Sequence, residues 1–297
     1  MPRTSTSAPF NAAAIRRPLM RWYRGQGRHA LPWRLTRDPY AILISEVMLQ
    51  QTQVDRVIPY YQAWLERWPD FTSLAAAPPS EVIRAWRGLG YNRRALNLHR
   101  LAVLVSELPD AALPPTLSAL MRLPGVGPYT ASAIECFARD ETLVVADTNI
   151  ARVVSRVLLG APNQREVPPR TLAQALESLL PTTYGRDHNL ALMDLGALVC
   201  SARAPRCDGC PIRDDCRWRL EGYVASETSR TPLPKFETTA RFARGRIIDA
   251  LRESPMTAEE LRRMLPSDHR PLIADYLAGL AREGLVQETN GIWTLPV

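Results

Sequence analysis

The chain has 297 residues, 46% of them apolar, which is enough for two hydrophobic cores and excludes wholesale disorder. The formal net charge of +7 points to a polyanionic partner. No apolar run approaches the roughly 20 residues a membrane helix needs. Met1 to Pro9 holds neither a hydrophobic segment nor a cleavage-like site, so a short disordered tail and a cytoplasmic protein are expected.

Helical periodicity recurs at about Asn11–Arg24, Tyr40–Gln51, Asp55–Trp68, Pro79–Leu89, Asn92–Glu107, Thr116–Leu123, Tyr129–Ala138, Thr148–Leu159, Thr171–Leu180 and His188–Val199. Proline and glycine punctuate these segments, as at Pro78-Pro79, Pro114-Pro115 and Pro168-Pro169. Glu221–Thr239 has no helical period and reads as a linker. Three further helical patterns follow, at Arg241–Glu253, Thr257–Leu265 and Arg270–Glu283. Two short strands then close the chain, Leu285–Thr289 and Ile292–Leu295, joined by the hairpin signal Asn290-Gly291. The whole is mainly α, with a small winged-helix-like C-terminal domain. Such a domain serves equally in DNA binding and in packing.

The positive charge is almost all arginine, a bias that a GC-rich genome explains without functional demand. Lys235 is the only lysine, so the 234 residues before it offer no side-chain amine for imine chemistry.

Three constellations carry chemistry. Leu123-Pro124-Gly125-Val126-Gly127-Pro128-Tyr129-Thr130 lies between two short helical patterns. Its glycines permit a tight turn that presents bare N–H groups beside a helix N-terminus, a sequence-independent phosphate site. The second is a pair of carboxylates. Asp147 opens the helix Thr148-Asn149-Ile150 and is a natural N-cap. Glu46 shares a polar helix stripe with Gln50 and Gln53, next to Leu43 and Leu49, where partial desolvation raises its pKa. One protonated acid and one ionised carboxylate suit cleavage through an oxocarbenium-like transition state. The third is Cys200, Cys207, Cys210 and Cys216, spaced C-x6-C-x2-C-x5-C. Spacing alone leaves an iron–sulfur cluster and zinc equally open.

Together these strings resemble the helix-hairpin-helix DNA glycosylases with a [4Fe-4S] loop, most of all the MutY-like adenine glycosylases. The resemblance spans about Ala12–Trp218. It rests on Leu31-Pro32-Trp33-Arg34, Ser45–Val54, Gly88-Leu89-Gly90-Tyr91, Leu123–Ala131, Asp147–Val153 and Ala191–Ala197 leading into Cys200. It implies a [4Fe-4S] cluster on the four cysteines. It further implies a six-helix barrel domain (31–139), a cluster domain (1–30 with 140–220) and a DNA cleft between them. A linker (221–240) and the winged-helix-like domain (241–297) complete the expected organisation.

By the family pattern, Glu46 protonates a flipped adenine, Asp147 stabilises the sugar cation, and Tyr129 and Asn149 assist. Trp33, Arg34 and Leu49 match base-pocket positions. Gln51 and Tyr91 match residues that wedge into the duplex, which requires the helix to end near Gln51. Leu123, Gly125, Val126, Gly127 and Thr130 form the DNA-binding hairpin, and Arg203, Arg206, Arg213 and Arg217 are expected near phosphates. Tyr129 stands where bifunctional relatives carry lysine, implying a monofunctional enzyme. The implied substrate is adenine opposite 8-oxoguanine or guanine in double-stranded DNA. The implied protein is a monomer at the nucleoid of a bacterium, with no membrane association.

Two departures stand out. Leu190 occupies a base-pocket position where Gln or Glu is usual, and no Nudix-like domain follows. They leave two alternatives: a thymine or uracil glycosylase for T·G or U·G mismatches, and a non-catalytic iron–sulfur DNA-binding regulator.

Overall fold

The computed structural model describes residues 12–226 and 234–297. The expected N-terminal tail and the centre of the expected linker lie outside the described residues. Helices follow in chain order: α1 (Ala12–Gln26), α2 (Pro39–Leu49), α3 (Val54–Arg67), α4 (Phe71–Ala75), α5 (Pro79–Ala85), α6 (Arg93–Ser106), α7 (Leu117–Leu120), α8 (Pro128–Ala138), α9 (Thr148–Leu159), α10 (Pro169–Leu179), α11 (Gly185–Leu198) and α12 (Arg217–Leu220). The C-terminal part adds α13 (Ala240–Glu253), β1 (Met256–Thr257), α14 (Ala258–Met264), α15 (Ile273–Glu283), β2 (Gln287–Thr289) and β3 (Ile292–Thr294).

Two compact units result, one from the described residues of Met1–Arg37 and Ala131–Arg230, the other from those of Asp38–Thr130 and Thr231–Val297. In the first, α9 packs against α10, α11 and α12, while α1 lies on α11. Gly196 permits the α9–α11 approach: a Cβ there would meet the Asn149 Cβ at 2.6 Å. No helix among the described residues is long and apolar enough to cross a membrane.

In the second unit α2 is central. Asp38 caps it, accepting from the N–H groups of Tyr40 and Ala41, and Pro39 fills the first turn. Every residue from Tyr40 to Met48 is buried. Of the expected polar stripe only Glu46 is buried; Gln50 is half-buried and Gln53 exposed, the helix having ended at Leu49. The tail forms three helices and an antiparallel sheet in the order β1-β3-β2, a winged-helix arrangement. Asn290 and Gly291 turn between β2 and β3 with φ of 53° and 80°. This tail shares a core with the central helices: Ile83 and Leu96 pack among Ile247, Leu251, Leu280 and Val286. Buried Arg252 of α13 donates to the Ile83 carbonyl at 2.9 Å and to Asn92 Oδ1 at 2.8 Å.

His188 of α11 is fully enclosed, and its Nδ1 has no hydrogen-bond partner. Burial, and then the Arg16 charge, pushes its pKa down to about 4. The folded chain thus holds it neutral where the unfolded chain takes up a proton, so stability is lost as pH falls from about 6.5 towards 4. A His188→Leu chain is expected to lose less stability over that interval, by up to about 3 kcal/mol, in denaturant titrations at successive pH values. Superimposable profiles would contradict the assignment.

Candidate active site and metal centre

In the second unit, Glu46 sits in the third turn of α2 at 6% exposure. The hydroxyl of Tyr129 donates to its Oε2 at 2.6 Å. Tyr129 lies in the first turn of α8, reached through α7 and the turn 121–127. Gly125 makes that turn with φ +79°, and a Cβ there would meet the Asn97 Cβ at 3.0 Å, so both conformation and space demand glycine. Val126 and Thr130 are buried anchors of the hairpin; Gly125 is exposed, and Leu123 and Gly127 are half-buried. A buried carboxyl needs such a partner, since an unpaired polar group in this environment is costly.

Helix α2 does end just before Gln51. Leu49 is its last residue and is half-buried, and Gln51 turns out at φ +58°, exposed. Arg94 of α6 makes that ending possible. Its guanidinium donates to the carbonyls of Val47 (2.7 Å), Gln50 (2.7 Å), Leu89 (2.9 Å) and Gly90 (3.0 Å). One side chain thereby satisfies the orphan carbonyls of α2 and pins the turn that carries Tyr91, itself at φ +48°. Burial pushes Arg94 down to about 10, which leaves it charged at neutral pH.

In the first unit, Asp147 caps α9: Oδ1 accepts from the Ile150 N–H at 2.6 Å and Oδ2 from Asn149 Nδ2 at 2.9 Å. Asn149 Oδ1 in turn accepts from Arg152 at 2.8 Å. Arg152 continues to the Gly196 carbonyl at 2.8 Å and the Cys200 carbonyl at 2.9 Å. The Asp147 network is thus tied to the first cysteine. Trp33 is buried in a 3-10 turn, Pro32–Arg34, and Leu190 is buried on α11.

Arg34 is held by a buried carboxylate. Its guanidinium binds the fully buried Asp194 in a fork, at 2.6 and 2.8 Å, and Arg28 adds its N–H at 2.8 Å and Nε at 2.7 Å. Burial alone would raise the Asp194 carboxyl, but hydrogen bonds and charge from Arg34, then Arg28, hold it below its ordinary range.

Cys200, Cys207, Cys210 and Cys216 line one cavity together with Val153, Leu195 and Ile212. Burial pushes the Cys210 thiol up to about 12 and raises that of Cys216. Among the described residues no three His, Cys, Asp or Glu side chains converge closely enough for one metal ion. Four thiols lining one cavity match in number the ligands a four-iron cluster takes, one at each iron. Arg156 supports that fit: it donates to Cys200 Sγ at 3.2 Å and to the Ser201 carbonyl at 2.8 Å, and stacks on Trp218 at 4.6 Å. Of the arginines expected to face phosphates, Arg206 donates to the Leu198 carbonyl, while Arg213 and Arg217 pair with Asp214 and Glu221.

Sequence patterns alone assign no role to Arg94, Arg152, Arg156 or Asp194. The only signal for them is charge at positions otherwise occupied by apolar residues on α6, α9 and α11.

A sequence profile described as "HhH-GPD superfamily base excision DNA repair protein" matches residues 44–181. An adenine DNA glycosylase of Mycolicibacterium smegmatis is 43% identical over 275 residues, covering 91% of this chain and 92% of that one. The chain belongs to the HhH-GPD superfamily of base excision DNA repair proteins. Among solved members of this fold, a thermostable thymine-DNA glycosylase superposes with a TM-score of 0.65 at 30% identity, covering 71% of this chain and 97% of that one. An endonuclease III from a non-covalent DNA complex superposes with a TM-score of 0.60 at 23% identity, over 72% of this chain and 98% of that chain, and so shares the fold. The expected mainly helical HhH glycosylase fold is therefore the observed one.

Asp194→Ala strands two arginine charges in this HhH-GPD chain and is expected to destabilise it by about 3–5 kcal/mol, read in denaturant unfolding. A loss within about 1 kcal/mol would show that Arg28 and Arg34 find other partners.

Proposed function

We propose that this protein is an adenine DNA glycosylase of base excision repair, hydrolysing the N-glycosidic bond of adenine opposite 8-oxoguanine or guanine in duplex DNA. What carries the reading is the 43% identity to an adenine DNA glycosylase along nearly the whole of both chains. It does not favour the mismatch pyrimidine glycosylase or the non-catalytic regulator.

The chemistry assigned to the residues is as follows. Glu46, enclosed and joined to Tyr129, gives its proton to N7 of the extruded adenine. The C1′–N9 bond then breaks with its electron pair leaving on the base. Asp147, aligned by Asn149 and Arg152, stabilises the sugar cation electrostatically. Water adds to C1′ and its proton passes to the Glu46 carboxylate. Removing the base from the stack is a precondition. Trp33, Arg34, Leu49 and Leu190 line the base pocket, where Arg34 also ties the turn that carries Trp33 to Asp194. Gln51, Tyr91 and the hairpin residues Leu123, Gly125, Val126, Gly127 and Thr130 contact DNA. Tyr129 bears no amine, so no imine forms and the product is an abasic site.

Cys200, Cys207, Cys210 and Cys216 hold a [4Fe-4S] cluster. Its contribution is to fix the loop 200–216 against α9, where Arg152 and Arg156 join the cysteine backbone to the Asp147 network. The domain assignment goes with this reading, as a barrel at 31–139 and a cluster domain at 1–30 with 140–220. So do a monomeric state and a place at the bacterial nucleoid.

The test is a panel of A·8-oxoguanine, A·G, T·G and U·G duplexes, each treated with alkali after incubation. Alkali-dependent cleavage at adenine in the first two is expected. Glu46→Gln is expected to lower that release at least ~100-fold with duplex affinity retained. Cleavage confined to T·G and U·G would replace the reading, and cleavage of none would favour the regulator.

A further inference from the structure

Within the second unit, an open groove runs between the turn 88–94 and α13. Six arginines and two carboxylates line it. Arg94 and Arg252 are spent on backbone carbonyls, and Arg244 pairs with Glu283 at 2.7 Å. Arg56 and Arg93 are exposed on one wall, and Arg241 is exposed on the other.

Arg241 is not loose. Its guanidinium lies over the Tyr91 ring at 4.9 Å and the Phe236 ring at 4.8 Å, and it donates to the Tyr91 hydroxyl. A planar fork fixed between two aromatic rings keeps its remaining N–H edges in one plane, at little further entropic cost on binding. Arg94 approaches the same Tyr91 ring at 5.6 Å, so the tyrosine is flanked by one arginine from α6 and one from α13.

Gly245 is the second, independent observation. It lies in the interior of α13, where glycine costs roughly 0.5–1 kcal/mol relative to alanine. A Cβ at this position would meet nothing within 4 Å. Internal packing therefore does not require glycine here. It does leave the α13 wall of the groove bare, between Arg241 and Arg244 on one side and Ile248 on the other.

We propose that this groove is a phosphodiester-binding surface for duplex DNA, in which the C-terminal module supplies Arg241 to the same backbone held by Arg56 and Arg93. The bare surface at Gly245 admits the sugar–phosphate chain, and the charge excess of the walls attracts it. This rests on the base-excision reading for its ligand and assigns the winged-helix-like tail a direct part in binding.

The full chain is titrated with a labelled, fully paired duplex at several salt concentrations. Arg93→Glu/Arg241→Glu is expected to weaken affinity tenfold or more and to lower the salt slope by about 2, one for each phosphate that is no longer neutralised. Gly245→Leu, which changes no charge and favours helix, is expected to weaken binding several-fold while its unfolding temperature is unchanged or higher. Arg263→Glu on α14, outside the groove, is the matched control and is expected to bind as the parent does. Parental affinity and salt slope in the double variant, or in Gly245→Leu, would overturn the proposal. Base release measured on the same proteins separates the two readings. A parent that releases no base, with variants that still lose affinity, sinks the glycosylase assignment alone. A parent that releases adenine, with variants that bind as it does, sinks the groove alone.

Discussion

A phenolic hydroxyl 2.6 Å from a buried carboxyl is the contact on which the second unit's functional geometry depends. Glu46 lies on a helix buried from Tyr40 to Met48, so its carboxyl has little recourse to water and is met by a donor. The donor arrives from 83 residues away because Gly125 turns the hairpin tightly enough to start α8 at the right place. At the other end of the same helix, Arg94 closes the last carbonyls and frees Gln51 and Tyr91 to turn outward in left-handed conformations. The candidate proton donor and the two candidate duplex-contacting residues are therefore set by one helix and two side chains that serve it.

The first unit is organised by the same economy. Asp147 is at once an N-cap and the end of a chain of hydrogen bonds through Asn149 and Arg152 to the Cys200 backbone. Two side chains thus join the cysteine loop to that carboxylate. Asp194 collects Arg28 and Arg34 and so fixes the turn bearing Trp33 to α11. Much of the arginine excess is thus spent inside the fold. Arg94, Arg152, Arg156 and Arg252 each satisfy backbone carbonyls, a task the five-donor guanidinium performs better than an ammonium. Those guanidiniums have their donors committed inside the fold, so the arginines left exposed on one groove are the ones placed to meet a phosphate.

Most helices were legible because proline and glycine mark their ends and a 3.6-residue period fills their interiors, as from Thr148 to Leu159. The terminal hairpin was legible from Asn290-Gly291. The cysteine set and the long motif strings carried the family. Helix α4 was missed because its five residues are too few for a period, although Asp70 and Ser73 form a capping box. Strand β1 was missed because two residues cannot alternate. The environment of Glu46 was legible only in part. A helical wheel gave it a polar stripe and partial desolvation, whereas tertiary packing buries it with every residue from Tyr40 to Met48, and no local pattern reports what lies opposite a helix. The partners of Arg34 and Arg94 were hidden for the same reason: their acceptors are an aspartate 160 residues away and carbonyls, which have no letter in the sequence.

The most direct test removes one oxygen. Single-turnover adenine release from an A·8-oxoguanine duplex is measured for Tyr129→Phe beside the parent, with duplex affinity measured in parallel. Loss of a hydrogen bond to an ionisable partner is worth about 1.5–3 kcal/mol, so a rate lower by roughly 10- to 100-fold at unchanged affinity is predicted. A phenylalanine variant that releases adenine at the parental rate would show that the Tyr129–Glu46 contact does not organise the site.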